Sequence, residues 1–185
     1  GLTLGRSSLM SKDYNFIYPL LKRDDIYYKG RYEYNNRPKI LGGMTVSEAL
    51  LSPTRQWALV IKELISSLRE MRVIHMLHGI SMNTGGGATK IKNIGKGGII
   101  YTKMMPPPPP ICKLIKSESR ETWENMYTSF NCGIGIDIIR ENNPVFINAV
   151  EAIKNKCGLP VIHLGSCIYS NNPDAKNSVE LITPY

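Results

Sequence analysis

Five consecutive prolines, Pro106 to Pro110, constrain this chain more than any other feature of its sequence. Proline holds φ near about −65° and lacks a backbone N–H, so neither a helix interior nor a central strand runs through such a stretch. The run is an extended stop. The apolar segment Ile99 to Met105 before it reads as a strand that must end there. Proline also suits a first helical turn, so a helix is expected over Ile111 to Lys116.

The remaining elements follow from periodicity and punctuation. Thr3 to Ser11 has helical composition, and Tyr14 to Pro38 is a Tyr- and Asn-rich connection, partly extended. Thr45 is an N-cap with Glu48 placed for a capping box, and Pro53 stops the short helix Val46 to Leu51. Arg55 to Glu70 repeats Leu59, Val60, Ile61, Leu64, Ile65 and Leu68 at helical spacing, which predicts a long amphipathic helix. Val73 to Ser81 is short enough for a buried strand. Thr84-Gly85-Gly86-Gly87 breaks it, and Ala88 to Ile94 reads as a short helix. Gly95-Lys96-Gly97-Gly98 lacks the strand-GxxxxGK[ST]-helix setting of a nucleotide loop and reads as a turn.

Further on, a helix is expected over Arg120 to Phe130, with Trp123, Met126, Tyr127 and Phe130 on one stripe. Cys132 to Arg140 reads as a strand. Pro144 to Lys156 reads as a helix, capped by Asn142 or Asn143 and closed by Gly158. Pro160 to Ile168 and Val179 to Thr183 are the last strands. Helices alternating with strands predict an α/β (α+β) fold, a layered domain with a mixed β-sheet flanked by helices.

A chain of 185 residues, 42% hydrophobic and 21% charged, can bury one substantial core, so residues 1–185 are expected to form a single domain. Its four cysteines form no CxxC pair and no His-Cys cluster, which fits reduced thiols in a cytoplasmic protein and no metal site. No apolar run is long enough for a bilayer, and no signal-peptide pattern opens the chain. The net charge of +8 comes from scattered Lys and Arg. Only residues 22–37 alternate Tyr27, Tyr28, Tyr32 and Tyr34 with Arg23, Lys29 and Arg31, and this stretch reads as a solvated loop or interface strand. Neither nucleic acid nor membrane is expected as a partner; anionic metabolites remain.

Five segments in order carry a family resemblance. Gly1-Leu2-Thr3-Leu4-Gly5-Arg6 resembles an "NGxxLxR" motif, and Leu50-Leu51-Ser52-Pro53-Thr54-Arg55 an "LLxPTR". Thr84-Gly85-Gly86-Gly87, with Thr89-Lys90 behind it, is similar to "TGGG", and Pro107 to Ile115 to "PPPPxxxLI". Met126-Tyr127 with Phe130-Asn131-Cys132-Gly133-Ile134-Gly135 resembles "MYxxFNxGIG". Together they resemble the C-terminal domain of the aminoimidazole ribonucleotide synthetases, or phosphoribosylformylglycinamidine cyclo-ligases. Selenophosphate synthetase, thiamine-monophosphate kinase and the hydrogenase-maturation dehydratase share the wider plan, but these motifs point to the cyclo-ligase branch.

The resemblance implies an enzyme of de novo purine synthesis that turns formylglycinamidine ribonucleotide and ATP into aminoimidazole ribonucleotide, ADP and phosphate. It implies a two-domain protomer, homodimeric when full length, whose N-terminal domain carries the Mg²⁺ carboxylates and most of the ATP site. The present chain is then the C-terminal half, opening inside a longer protein, and inactive alone. Its own site residues would be Thr84, Gly85, Gly86 and Gly87, whose backbone amides can approach a phosphate at a helix N-terminus, with Asn131 and Thr54 from the neighbouring motifs. Each has a structural alternative: a turn needing positive φ for the glycines, and a helix cap or end for Thr54 and Asn131. Arg6 and Arg55 read as helix-surface residues, and His75 and His163 as core or edge histidines.

One departure bears on catalysis. Many relatives place a His two residues before the Thr of the glycine loop, and this chain has Met82. His78 shares a strand face with Met82 by parity, but lies about 13 Å away. A non-catalytic relative that kept the fold is therefore the alternative reading.

Overall fold

A computed structural model describes residues 1–17 and 27–185; Arg23, counted above with the tyrosine-rich stretch, lies outside the described residues. Helices α1 (Leu2–Leu9), α2 (Tyr14–Ile17), α3 (Val46–Leu51) and α4 (Trp57–Glu70) precede the first strand, β1 (Leu77–Met82). A 3-10 segment, Gly87–Asn93, leads to β2 (Ile99–Met104). Then come α5 (Pro110–Ser119), α6 (Trp123–Ser129), β3 (Ile136–Arg140), α7 (Pro144–Cys157), β4 (Gly165–Tyr169) and β5 (Ser178–Ile182).

Local chemistry accounts for most boundaries. Glu48 N–H donates to Thr45 Oγ1 at 3.1 Å and Thr45 N–H to Glu48 Oε2 at 2.7 Å, so the capping box of α3 is complete. Asn143 caps α7, Pro144 takes its first turn, and Gly158 ends it in the left-handed conformation at φ 60°. The proline run ends as expected, with Pro110 opening α5. Arg120 does not begin the next helix: it closes α5 at φ 60°, and Thr122 caps α6.

The fold is the expected layered α+β arrangement with a mixed sheet, and its strands are divided between two sheets. β1 and β3 pair antiparallel. β2 lies between antiparallel β4 and parallel β5. Two apolar cores correspond. Leu64 and Leu68 of α4 pack with Phe146, Ala149 and Ile153 of α7 against β1 and β3. Leu9, Val46, Cys112, Leu114, Ile115, Met126, Tyr127 and Cys132 bring α1, α3, α5 and α6 around Ala88 and Met105. His75 and His163 are both exposed, outside either core. No helix among the described residues is long and apolar enough to cross a membrane.

One ion pair stitches the sheets together. Lys103 of β2 reaches Asp137 of β3, Nζ to Oδ2 at 2.7 Å, and both side chains are 4% exposed. Lys103 also donates to Ala88 O at 2.9 Å in the 3-10 segment. Asn83, just past β1, donates through Nδ2 to the same Asp137 oxygen at 3.1 Å and to Ile134 O at 3.0 Å. Charges buried this deeply are tolerated only when paired and hydrogen-bonded.

Two outcomes follow for stability. Lys103→Met leaves Asp137 buried without its cation and should cost about 3–5 kcal/mol in urea denaturation, whereas Lys103→Met with Asp137→Leu should recover most of that loss. The Thr45 hydrogen bonds hold the Glu48 carboxyl below its ordinary value of 4.5. A depressed carboxylate stabilises the fold above its unfolded pKa and loses that contribution as pH falls. The wild-type chain should therefore exceed Glu48→Gln in thermal stability at neutral pH, and the gap should close as pH drops below about 4.

Candidate functional site

The end of β1 delivers the chain to the glycine loop. Thr84, Gly85 and Gly86 are exposed, Gly87 is buried, and the three glycines stand at φ 61°, 105° and 55°. The left-handed region favours glycine at each, but the surroundings differ. A Cβ on Gly87 would lie 2.4 Å from Tyr127 O and 2.6 Å from Phe130 O, so this glycine lets the loop press against the end of α6. A Cβ on Gly86 would meet Lys90, its Cδ at 3.4 Å and its Cα and Cβ at 3.8 Å, all ordinary contacts, and one on Gly85 nothing within 4 Å.

The loop's polar groups are unevenly used. Thr84 N–H donates to Met82 O at 2.8 Å, and Thr89 donates through its amide and hydroxyl to Gly86 O. Lys90 folds back so that its ammonium donates to Thr84 O at 3.0 Å. The amides of Gly85 and Gly86 and the Thr84 hydroxyl donate to no protein group among the described residues. Two free amides, a hydroxyl and an ammonium thus lie together on an open loop, a donor set suited to an anion. The element behind the loop is a 3-10 segment of seven residues, Gly87–Asn93. Its short, tight turns cannot supply the macrodipole of an α-helix, so the positive potential expected from a helix end comes from Lys90 instead.

Asn131 opens the turn that follows α6. Its Oδ1 accepts from Gly133 N–H at 3.1 Å, and its carbonyl accepts from Ile134 N–H at 3.0 Å. The side chain builds the turn in which Cys132 and Gly133 take φ 47° and 99°. Phe130 O accepts from Ala88 N–H at 3.2 Å, which joins that turn to the glycine loop.

Thr54 is exposed in the connection before α4, and it does not cap that helix, whose N-cap is Gln56. Three residues on, Trp57 packs on Gly135 so closely that a Cβ there would fall 2.4 Å from its ring. The proline-threonine-arginine segment thus approaches the site through Trp57, a residue that the sequence reading passed over. Gly135 O in turn accepts from Asn83 N–H at 3.0 Å. Arg55 is exposed, and Arg6 is half-buried with an Nε that finds no acceptor among the described residues.

Met82 ends β1 with its side chain 44% exposed. His78 does not share its face by simple alternation, because the register with β3 slips between Leu77 and Gly79. It lies instead 3.6 Å from Glu141, exposed to solvent.

Below the site, hydrogen bonding to Cys112 together with burial pushes the Cys132 thiol up, away from thiolate character. Burial likewise pushes the Tyr127 phenol up to about 12. These groups pack; they are not poised for proton transfer. No trio of His, Cys, Asp or Glu among the described residues could hold a metal ion.

The sequence reading also missed the supporting layer of Asn83, Lys103 and Asp137. A signal was present: Lys103 and Asp137 interrupt otherwise apolar strands, Ile99 to Met105 and Ile134 to Ile139, where a charge needs a partner.

No protein-family model matches the chain. Curated relatives do. It is 31% identical over 132 residues to the phosphoribosylformylglycinamidine cyclo-ligase of Methanocaldococcus jannaschii, covering 71% of this chain and 36% of that protein. The cyclo-ligase of Methanobrevibacter smithii is 31% identical over 118 residues, 64% of this chain and 32% of its own length. That of Limosilactobacillus reuteri strain DSM 20016 is 26% identical over 184 residues, 96% of this chain and 48% of its own. The chain therefore spans between about a third and about a half of the length of the relatives it matches. With the motifs in order and a layered α+β fold, the chain belongs to the phosphoribosylformylglycinamidine cyclo-ligase family, as a piece consistent with its C-terminal domain.

Proposed function

We propose that this chain is the substrate-side, phosphate-binding domain of an ATP-dependent cyclo-ligase that converts formylglycinamidine ribonucleotide to aminoimidazole ribonucleotide. The observation that carries the reading is the free donor set of Thr84, Gly85 and Gly86, with the Lys90 ammonium beside it, on an open loop in a chain related to enzymes of that name. Gly87 serves by packing the loop on α6, and Asn131 by shaping the turn beside it. Thr54 is assigned to the substrate side only through the motif it belongs to.

The chemistry asks mainly for positioning and charge stabilisation. A formamide oxygen is a poor leaving group. Once it has received the γ-phosphoryl group of ATP, the amidine nitrogen can attack the formyl carbon, and the oxygen departs as phosphate while a proton is lost to close the ring. The loop's part is to hold an anionic phosphate, of the substrate or of ATP, by amide and hydroxyl donors. The family resemblance assigns the metal and most of the ATP contacts to an N-terminal domain of the same protein, the expected partner within a homodimer, and no step is derived through the metal. Ligase action in purine synthesis in the cytoplasm is the corresponding cellular reading.

A second reading, a non-catalytic relative that kept the fold, is favoured by Met82 standing where many relatives carry His. One assay addresses both readings. The chain by itself should give no aminoimidazole ribonucleotide above background; turnover by this chain would refute the assignment of the ATP machinery elsewhere. If Met82→His confers turnover on the chain joined to an N-terminal cyclo-ligase domain that the unchanged sequence lacks, the second reading holds for the natural protein.

The glycine loop makes a sharper forecast because its glycines do different jobs. Gly86→Val should weaken binding of formylglycinamidine ribonucleotide in calorimetry by about ten-fold, the loss of one charge-assisted donor contact, while circular dichroism shows a folded chain. Gly87→Ala should instead lower the stability by about 1–3 kcal/mol, since its Cβ collides with backbone that cannot yield freely. Equal affinities for wild type and a folded Gly86→Val would show that the glycines serve only the turn.

A further inference from the structure

At the far end of the 3-10 segment, away from the glycine loop, lies a polar groove of 390 Å³ lined by Lys92, Lys96, Gly97, Asp174, Lys176 and Asn177, among others. We propose that this groove is a second anion site, which takes the phosphate group of a small phosphorylated ligand. It does not rest on the cyclo-ligase reading.

The walls of the groove are built rigidly. Asn177 accepts from Ile99 N–H at 2.9 Å and donates through Nδ2 to Lys92 O at 3.1 Å and Ile94 O at 2.8 Å. Gly98 N–H donates to Ala175 O at 2.7 Å, and Ser170 N–H to Gly98 O at 2.6 Å. The two loops touch so closely that a Cβ on Gly98, at φ 64°, would lie 2.7 Å from Asn172 O, and one on Gly97 would lie 3.0 Å from Pro173 O. The Asn172 side chain and carbonyl accept from Asp174 and Ala175 N–H, which fixes the opposite rim.

Against this fixed frame the charges are left unpaired. Lys92, Lys96 and Lys176 are exposed, and none of them joins an ion pair or donates a side-chain hydrogen bond among the described residues. Three other lysines do pair: Lys154 with Glu151, Lys156 with Glu63, Lys103 with Asp137. Asp174 offsets one of the three charges and leaves an excess of two. The amides of Lys96 and Gly97 also donate to no acceptor among the described residues. Three ammonium groups around one concavity repel each other, and an anion seated among them relieves that repulsion while taking up the free amides. The volume lies at the lower end of small-ligand sites, enough for a phosphate with a small organic group. A strand of nucleic acid would need a basic track continuing beyond the groove, together with stacking aromatics, and among the described residues no aromatic side chain lines it.

The test uses inorganic phosphate and tripolyphosphate as probes, followed by amide NMR shifts and calorimetry at low salt. Shifts are expected to concentrate at Lys96, Gly97 and Lys176. Lys96→Gln and Lys176→Gln should each weaken tripolyphosphate about three- to five-fold, as exposed charge pairs do, and the triple variant with Lys92→Gln should remove the groove shifts. Lys39→Gln, an exposed lysine elsewhere, should change nothing, and Gly86→Val should leave the groove shifts intact. The proposal is overturned if Lys39→Gln weakens binding as much as the groove variants, or if no shifts appear in the groove, whatever the glycine loop shows. It is also overturned if a short oligonucleotide binds more tightly than tripolyphosphate with shifts spreading past the groove.

Discussion

The buried pair of Lys103 and Asp137 is the interaction on which the architecture turns. Two small sheets, each with its own helices and its own apolar core, are joined directly by this pair and through the 3-10 segment Gly87–Asn93, which touches strands of both. The lysine comes from the central strand of the three-stranded sheet and the aspartate from the two-stranded one, so neither charge is satisfied unless the sheets dock in one register. An apolar contact at the same place would tolerate sliding. A charge pair with fixed hydrogen bonds does not, because a shift strands two ions in a medium that solvates neither. Asn83 and Ala88 O add hydrogen bonds to the pair, while Asp137 Oδ1 and Asn83 Oδ1 have no partner among the described residues, and both Asn83 and Ala88 belong to the chain that enters and leaves the glycine loop.

That placement links stability to the site. The loop rests on the ion-pair layer from below and on the end of α6 from the side, where Gly87 admits the backbone of Tyr127 and Phe130. It can therefore hold open donors on its outer surface without losing its shape. The turn of Asn131 to Ile134 and the ring of Trp57 on Gly135 extend the same support, so three of the motifs that carry the family resemblance become neighbours in space. Their common requirement is close backbone packing: Gly87 and Gly135 both sit where a side chain would collide with another element. The free donors are confined to Thr84, Gly85 and Gly86.

Much of the local structure was legible in the residues. The Thr45–Glu48 capping box, the stop at the proline run, the amphipathic period of α4 and the asparagine and glycine at the two ends of α7 each depend on residues within a turn or two of one another. Boundaries failed where a residue took an unexpected backbone conformation. Arg120 closes a helix in a left-handed conformation usually left to glycine, and the slip beside His78 broke the alternation from which its facing was read. The strand expected over Pro160 to Ile168 begins only at Gly165, since a strand forms where a partner edge is available, and β2 offers one there.

The sequence by itself determined most element types and the family, because capping, proline geometry and motif order are properties of neighbouring residues. Only the tertiary structure decided the division into two sheets, the pairing of Lys103 with Asp137, and which glycine packs and which stays open. It alone also decided that Lys176 shares one groove with Lys92 and Lys96, some eighty positions before it. Each of these depends on contacts between residues tens of positions apart, and the energy of a charge or a close approach is defined only once its neighbours are in place.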